Sequence, residues 1–168
     1  QPNSNGLDKK LLFRSRVLTC ASPNYLNVMG APTSPRDMLN NHRCIRMSDA
    51  ATGKPYSWNM VNSAGEEEII SPECGLTLND APSLVAAATN DYGIVRLLDL
   101  VAEEQLRTGA LVEVLPEWNN FYWPAFVYTA ADNFKSPTIE ALKSFVVGHL
   151  TKSAAFAPAQ FSQPELES

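Results

Sequence analysis

The stretch from Gly75 to Leu115 constrains the fold most tightly, because three strand patterns alternate with two helix patterns inside it. Gly75-Leu76-Thr77-Leu78 is short, apolar and rich in strand formers, and it runs directly into Asn79-Asp80-Ala81-Pro82. Asn79 or Asp80 can accept from the free N–H groups of a first helical turn, and Pro82 fits that turn because its missing donor has no partner to lose there. Leu84, Val85, Ala88 and Tyr92 follow at helical spacing, which predicts one apolar stripe. Gly93 stops that helix and Ile94 to Leu98 reads as a strand. Asp99 then opens a second helix through Leu106, which Thr108-Gly109 ends, and Ala110 to Leu115 reads as the third strand. Strands separated by helices of this length predict an open α/β sheet of parallel strands.

The flanks supply further elements. Leu11, Leu12, Phe13, Val17 and Leu18 among Lys9, Lys10, Arg14 and Arg16 suit a strand that ends near Cys20. Ser22-Pro23 caps a short helix carrying Tyr25, Leu26 and Val28, ended by Gly30, and Ser34-Pro35 starts another through Leu39. Arg43 to Met47 reads as a strand, and Ser48 to Pro55 as a loop. Tyr56 to Val61 and Glu66 to Ser71 form a predicted hairpin across Asn62-Ser63-Ala64-Gly65. Its Glu66-Glu67-Glu68 run is read as a solvated edge that discourages aggregation, with a cation site as the rival reading. Pro116 to Trp123 is aromatic and irregular, either a hinge packed on a core or a ligand wall, and Ala125 to Ala130 reads as a strand. Ser136-Pro137 starts a last helix with Ile139, Leu142, Phe145 and Val146 on one face, and residues 151–168 lack periodicity.

Several of these stretches together resemble the C-terminal effector-binding domain of LysR-type transcriptional regulators. The resemblance is carried by Leu78-Asn79-Asp80, Leu84 to Ala88, Tyr92-Gly93-Ile94-Val95, Asp99 to Glu104 and Leu106 to Leu115. Leu18 to Leu26 looks like that family's strand into its second subdomain, His42 to Arg46 like the next strand, and Pro124 to Tyr128 with Ser136-Pro137 like its returning strand and helix. It covers roughly residues 7 to 150 and rests on order and spacing rather than on one motif. It implies a periplasmic-binding-protein-like (type 2) α/β fold with an open mixed sheet flanked by helices. It also implies a division of the chain: an N-terminal end and crossover strand over 1–18, the second effector-binding subdomain over 19–117, the returning strand and helix over 118–150, and a disordered tail over 151–168. The family's winged helix-turn-helix, linker helix and first subdomain find no match here, so the resemblance implies a piece of a longer protein, as does the missing initiator Met. The apolar face of residues 139–146 would then lack its usual partners.

Charge and motifs narrow the function. A formal net charge of -5 argues against a nucleic-acid surface of its own, so DNA contact would belong to the absent N-terminal part. Cys20, Cys44 and Cys74 are odd in number and lack C-x-x-C spacing, which signals neither a disulfide set nor zinc and favours a reducing cytoplasm. The apolar runs are too short to span a bilayer. His42 and His149 are the only histidines, without a G-x-S-x-G elbow, a phosphate loop or an H-x-x-x-H pair, so no catalytic residue, metal ligand or cofactor is expected.

A binding cleft has better support. In open α/β folds ligands lie off the carboxyl ends of strands, where helix N-termini offer free N–H groups. Such junctions occur at Ala21-Ser22-Pro23, Thr77 to Asp80 and Leu97-Leu98-Asp99. The resemblance places a small-molecule effector between two subdomains, with the first two junctions facing it, so Ser22, Thr77 and Asn79 are candidate contacts; the rival reading makes Ser22, Asn79 and Asp80 simple helix caps. Arg96, a cation inside an apolar strand, must leave the core or meet an anion. A salt bridge to Asp80 or Asp99 is the first expectation and an effector carboxylate the second. The resemblance thus implies a homo-oligomeric, metabolite-sensing regulator domain. An exported solute-binding receptor of the same fold is the alternative.

Overall fold

The computed structural model describes residues 7–73 and 75–130, together with 141, 144 and 145. The chain divides into two compact units, Arg16–Trp123 and a second made of Gln1–Ser15 with Pro124–Ser168. In the second unit the described parts are the start of strand β1 (Leu7–Ala21) and the greater part of β8 (Tyr122–Ala130), which pairs with β1. Of the predicted last helix, Ala141, Ser144 and Phe145 are described and are helical. Ile139, Leu142, Val146, His149 and the predicted tail, like Cys74, lie outside the described residues.

The unit Arg16–Trp123 carries the remaining elements. Helices α1 (Pro23–Met29) and α2 (Pro35–Asn41) follow β1, each with a serine cap and a proline in the first turn: Ser22 Oγ accepts from Tyr25 N at 3.0 Å, and Ser34 Oγ from Asp37 N at 3.0 Å. Strand β2 (Cys44–Met47) leads through a loop to the hairpin β3 (Trp58–Val61) and β4 (Glu67–Ile70). Then come β5 (Gly75–Leu78), α3 (Ala81–Thr89), β6 (Ile94–Leu98), α4 (Asp99–Thr108) and β7 (Val112–Glu113). A 3-10 turn, Pro116–Trp118, closes the series.

The sheet order is β5-β2-β6-β1-β7. Strand β2 runs parallel to both β5 and β6, while β1 is antiparallel to β6 and to β7. The three strands of the Gly75–Leu115 stretch therefore share one direction, but none pairs with another: β2 lies between β5 and β6, and β1 between β6 and β7. The sheet is mixed, and the all-parallel expectation drawn from that stretch alone fails because β1, an earlier strand of opposite direction, is inserted into it.

Two glycines let β5 and β6 close on β2. A Cβ at Gly75, whose φ is +137°, would sit 1.7 Å from the Cys44 carbonyl oxygen, and one at Gly93 would sit 2.3 Å from that of Arg43. Backbone approaches this close exclude any side chain. The predicted strand Ala110–Leu115 shrinks to Val112–Glu113. Leu111 N turns back to donate to Gln105 O at 3.0 Å, and Leu115 adopts the left-handed region at φ +50°.

The two faces of the sheet carry separate cores. On one, Leu18, Cys20, Ile45, Val95 and Leu97 pack with Leu84 and Ala88 of α3, Ala102 of α4 and Leu111. On the other, Ala21, Cys44, Ile94 and Val114 pack with Tyr25, Met38 and the hairpin residues Trp58, Met60 and Ile70. The alternation predicted for Trp58 to Val61 is what points Trp58 and Met60 inward. Glu66 and Glu67 are exposed and Glu68 half-buried on the hairpin, as a solvated edge requires. Among the described residues no helix is long and apolar enough to cross a membrane.

Candidate functional site

Because β1 runs against β2, β5 and β6, its far end at Ala21 lies beside the amino ends of those strands. Ser22 therefore stands at the opposite end of the sheet from Thr77 and Asn79, with Arg96 midway along β6 opposite Thr19, and the structure does not bring the four candidates together.

The amino end is a closed polar cluster. Ser22, 3% exposed, donates to Asp91 Oδ1 at 2.5 Å, and Asn24 Nδ2 donates to Asp91 Oδ2 at 2.6 Å. These bonds hold the Asp91 carboxyl below its usual range and support its left-handed φ of +62°. Arg43 Nη2 donates to Asp91 O at 2.9 Å, and its guanidinium lies 5.5 Å from the Tyr25 ring centroid and 5.3 Å from that of Tyr92. The Tyr25 hydroxyl accepts from Arg43 N at 2.9 Å and stands 3.4 Å from His42 Nδ1. Burial keeps the His42 pKa low, which suits a neutral ring accepting from that hydroxyl. Ser22 spends its oxygen on the cap and its proton on Asp91. It acts as a cap, bonded at both ends within the chain.

The carboxyl end is built differently. Asp80, not Asn79, caps α3, accepting from Ser83 N at 2.8 Å. That leaves Asn79 exposed, next to Thr77, which is exposed on β5. Register aligns Thr77 with Arg46 on β2 and Arg96 on β6 with Thr19 on β1. Cys44 pairs with Ile94, so one pleat further on Arg46 and Arg96 emerge on the same face of neighbouring strands. A polar row, Thr77-Arg46-Arg96-Thr19, thus crosses four strands just beyond the apolar core under the hairpin.

Thr19 ends that row in a satisfied way. Asn119 Oδ1 accepts from Thr19 N at 3.1 Å and Thr19 Oγ1 at 2.9 Å, while its Nδ2 donates to Glu113 Oε1 at 3.0 Å and Val114 O at 3.2 Å. Asn119 is fully buried. Sequence reasoning passed over it as part of an aromatic, irregular loop. The signal that could have found it was an amide among the aromatic residues Trp118, Phe121, Tyr122 and Trp123, which must find hydrogen-bond partners if buried.

The arginines are not satisfied. Arg96 Nη1 donates to the Asn59 carbonyl at 2.6 Å, whereas its Nε and Nη2 are cut off from solvent without a partner, as is Nε of Arg46. Burial alone lowers the Arg96 pKa to about 10, with no acid near enough to offset it. The expected salt bridge is absent among the described residues. Asp80 is committed to its cap, and Asp99 accepts from Leu100 N at 2.7 Å and Arg16 N at 3.2 Å. The described ion pairs join Arg16 to Glu113 and Arg107 to Glu104.

An open pocket of about 270 Å³ lies elsewhere, lined by Leu26, Pro32, Thr33, Leu115 and the acids Glu113 and Glu117. It offers an anion no cation. Cys20 and Cys44 are buried, and burial beside Glu113 pushes the Cys20 thiol up to about 12, which disfavours the thiolate. No group of metal-ligating side chains occurs among the described residues.

Comparison with known proteins agrees with this architecture. The LysR substrate binding domain matches residues 1–151. The HTH-type transcriptional regulator CrgA of Neisseria meningitidis is 30% identical over 115 residues, 68% of this chain and 37% of its own length. An uncharacterized HTH-type transcriptional regulator of Escherichia coli, YhjC, is 30% identical over 112 residues, 67% of this chain and 37% of its own. This chain thus spans just over a third of those relatives. Among solved structures, the CrgA regulatory domain aligns with a TM-score of 0.71 at 24% identity, covering 89% of this chain and 72% of that one. The regulatory domain of an AphB variant from Vibrio vulnificus aligns at 0.74 and 20% identity, covering 88% and 73%. With its mixed sheet, flanking helices and a family match over most of its length, the chain belongs to the LysR-type transcriptional regulators and forms their effector-binding domain.

Proposed function

We propose that this chain is the metabolite-sensing part of a regulator in which a small molecule docks at the carboxyl ends of β5, β2 and β6. Its binding favours one arrangement of a homo-oligomer and so changes how winged helix-turn-helix heads, carried outside this chain, meet DNA. The observation that supports this reading is the contrast in polar pairing along one sheet. At the amino end Ser22, Asn24 and the Tyr25 hydroxyl are held in bonds within the chain, whereas Thr77, Asn79 and the arginine pair keep capacity for a guest. Ligands of open α/β sheets sit at that end. A guest transmits a signal only through differential affinity for two states. The relatives quoted above are named as transcriptional regulators, which supports a cytoplasmic regulator over the exported receptor and over an enzyme.

The test is DNA occupancy of the full-length protein, followed by fluorescence anisotropy on its own promoter while metabolites are added. A metabolite that shifts occupancy in the parent but not in Thr77→Val or Asn79→Ala supports the reading. An effect that survives both substitutions removes these residues from the site.

A further inference from the structure

We infer that Arg46 and Arg96 form an oxyanion site, taking a carboxylate or phosphate group of a small molecule against the Nε–Nη2 edge of Arg96. The inference rests on the effector reading and deepens it by giving the ligand a chemical class.

Three observations carry it. First, the two cations emerge from neighbouring strands on one face, and like charges placed opposite each other destabilise a sheet. Such a pair is tolerable when an anion lies between its members. Second, no acidic side chain pairs with either among the described residues, so those residues supply no such anion. Third, the free nitrogens of Arg96 are the two that matter. Nη1 is held by the Asn59 carbonyl, which fixes the guanidinium plane, and Nε and Nη2 then present parallel N–H bonds along one edge. That fork matches two oxygens of a carboxylate or phosphate, and charge-assisted bonds of this kind are about twice as strong as neutral ones. Arg46 supplies the second charge, and Thr77, aligned with it on β5, a neighbouring hydroxyl.

Since neither Nε nor Nη2 of Arg96 reaches solvent here, a guest enters by easing the hairpin β3–β4 off the sheet. The Arg96–Asn59 bond is the contact that this movement stretches. An oxyanion would thereby move the hairpin, which is the kind of two-state element an effector needs.

The experiment titrates the intact protein by calorimetry with inorganic phosphate, with malonate and with succinate, against neutral succinamide and chloride at matched ionic strength. Arg46→Gln and Arg96→Lys are compared with the parent, the second keeping the charge but losing the fork. Saturable binding of phosphate or a dicarboxylate, absent for succinamide and weakened about tenfold or more by each substitution, is the expected result. Preference for phosphate or for dicarboxylate identifies the source of the oxyanion. Should Arg96→Lys fail to fold, Arg46→Gln and the amide resonances of Asn59, Arg96 and Thr77 on titration decide the matter. No saturable binding of any probe, or binding indifferent to the substitutions, overturns the inference and leaves water as the partner of those nitrogens. Oxyanion binding at the pair without any metabolite effect on DNA occupancy sinks the effector reading and leaves the site standing. A metabolite effect that ignores both substitutions does the reverse.

Discussion

The two ends of one sheet are built by opposite rules. At the amino end, Ser22, Asn24, Asp91, Arg43, Tyr25 and His42 answer one another, and Arg43 is engaged by a carbonyl and two rings. At the carboxyl end two cations stand side by side with donors unused. A buried polar group without a partner costs stability, so a fold keeps one only where something else repays it. The closed end holds the chain together. The open end is where a ligand gains most, because it finds donors already fixed in place.

The comparison can be broken most sharply at Tyr25. Tyr25→Ala removes a buried ring, the stack under Arg43 and the acceptor for Arg43 N, and should cost about 3–5 kcal/mol by denaturant unfolding, as for other large buried aromatics. A loss below about 1 kcal/mol would mean that the amino end is not the structural clamp. Ser22→Ala comes next, at about 1–2 kcal/mol for a lost cap, and should leave effector affinity untouched.

Arg96→Met should behave in the opposite way. An unpaired buried cation is replaced by an apolar chain of similar reach, so thermal stability should hold or rise while oxyanion affinity falls. A clear drop in melting temperature would show that Arg96 is a structural residue after all. The smallest effect is a pH dependence. The His42 pKa is lowered in the fold, so the neutral ring is favoured there and stability should be full above the usual histidine value of 6.5 and decline as pH falls below it. A His42→Gln variant should lose that part of the slope.

Much of this architecture was written in local pattern. Ser22-Pro23, Ser34-Pro35, Asp80 and Gly109 mark helix ends because capping is chemistry between near neighbours. The hairpin was equally legible in the alternation around Asn62 to Gly65. The candidate site was legible only in part. Thr77 and Asn79 follow from their place at a strand end, but Ser22 was grouped with them because the sequence does not give the direction of β1 relative to β2 and β6. The salt bridge expected for Arg96 failed for a related reason, since the nearby acids are taken by backbone N–H groups. The placing of Arg46 beside Arg96 depends on register between strands fifty residues apart, and the buried role of Asn119 on a contact with Thr19 across one hundred residues was no easier to foresee.

The most direct measurement is backbone amide hydrogen exchange on the full-length protein, with and without a metabolite that changes its DNA occupancy. Protection is expected over residues 46–48, 77–80 and 96–99, with residues 22–25, 42–44 and 91–93 unchanged. Protection confined to that second set would put the ligand at the amino end and contradict the assignment of sensing to the carboxyl end.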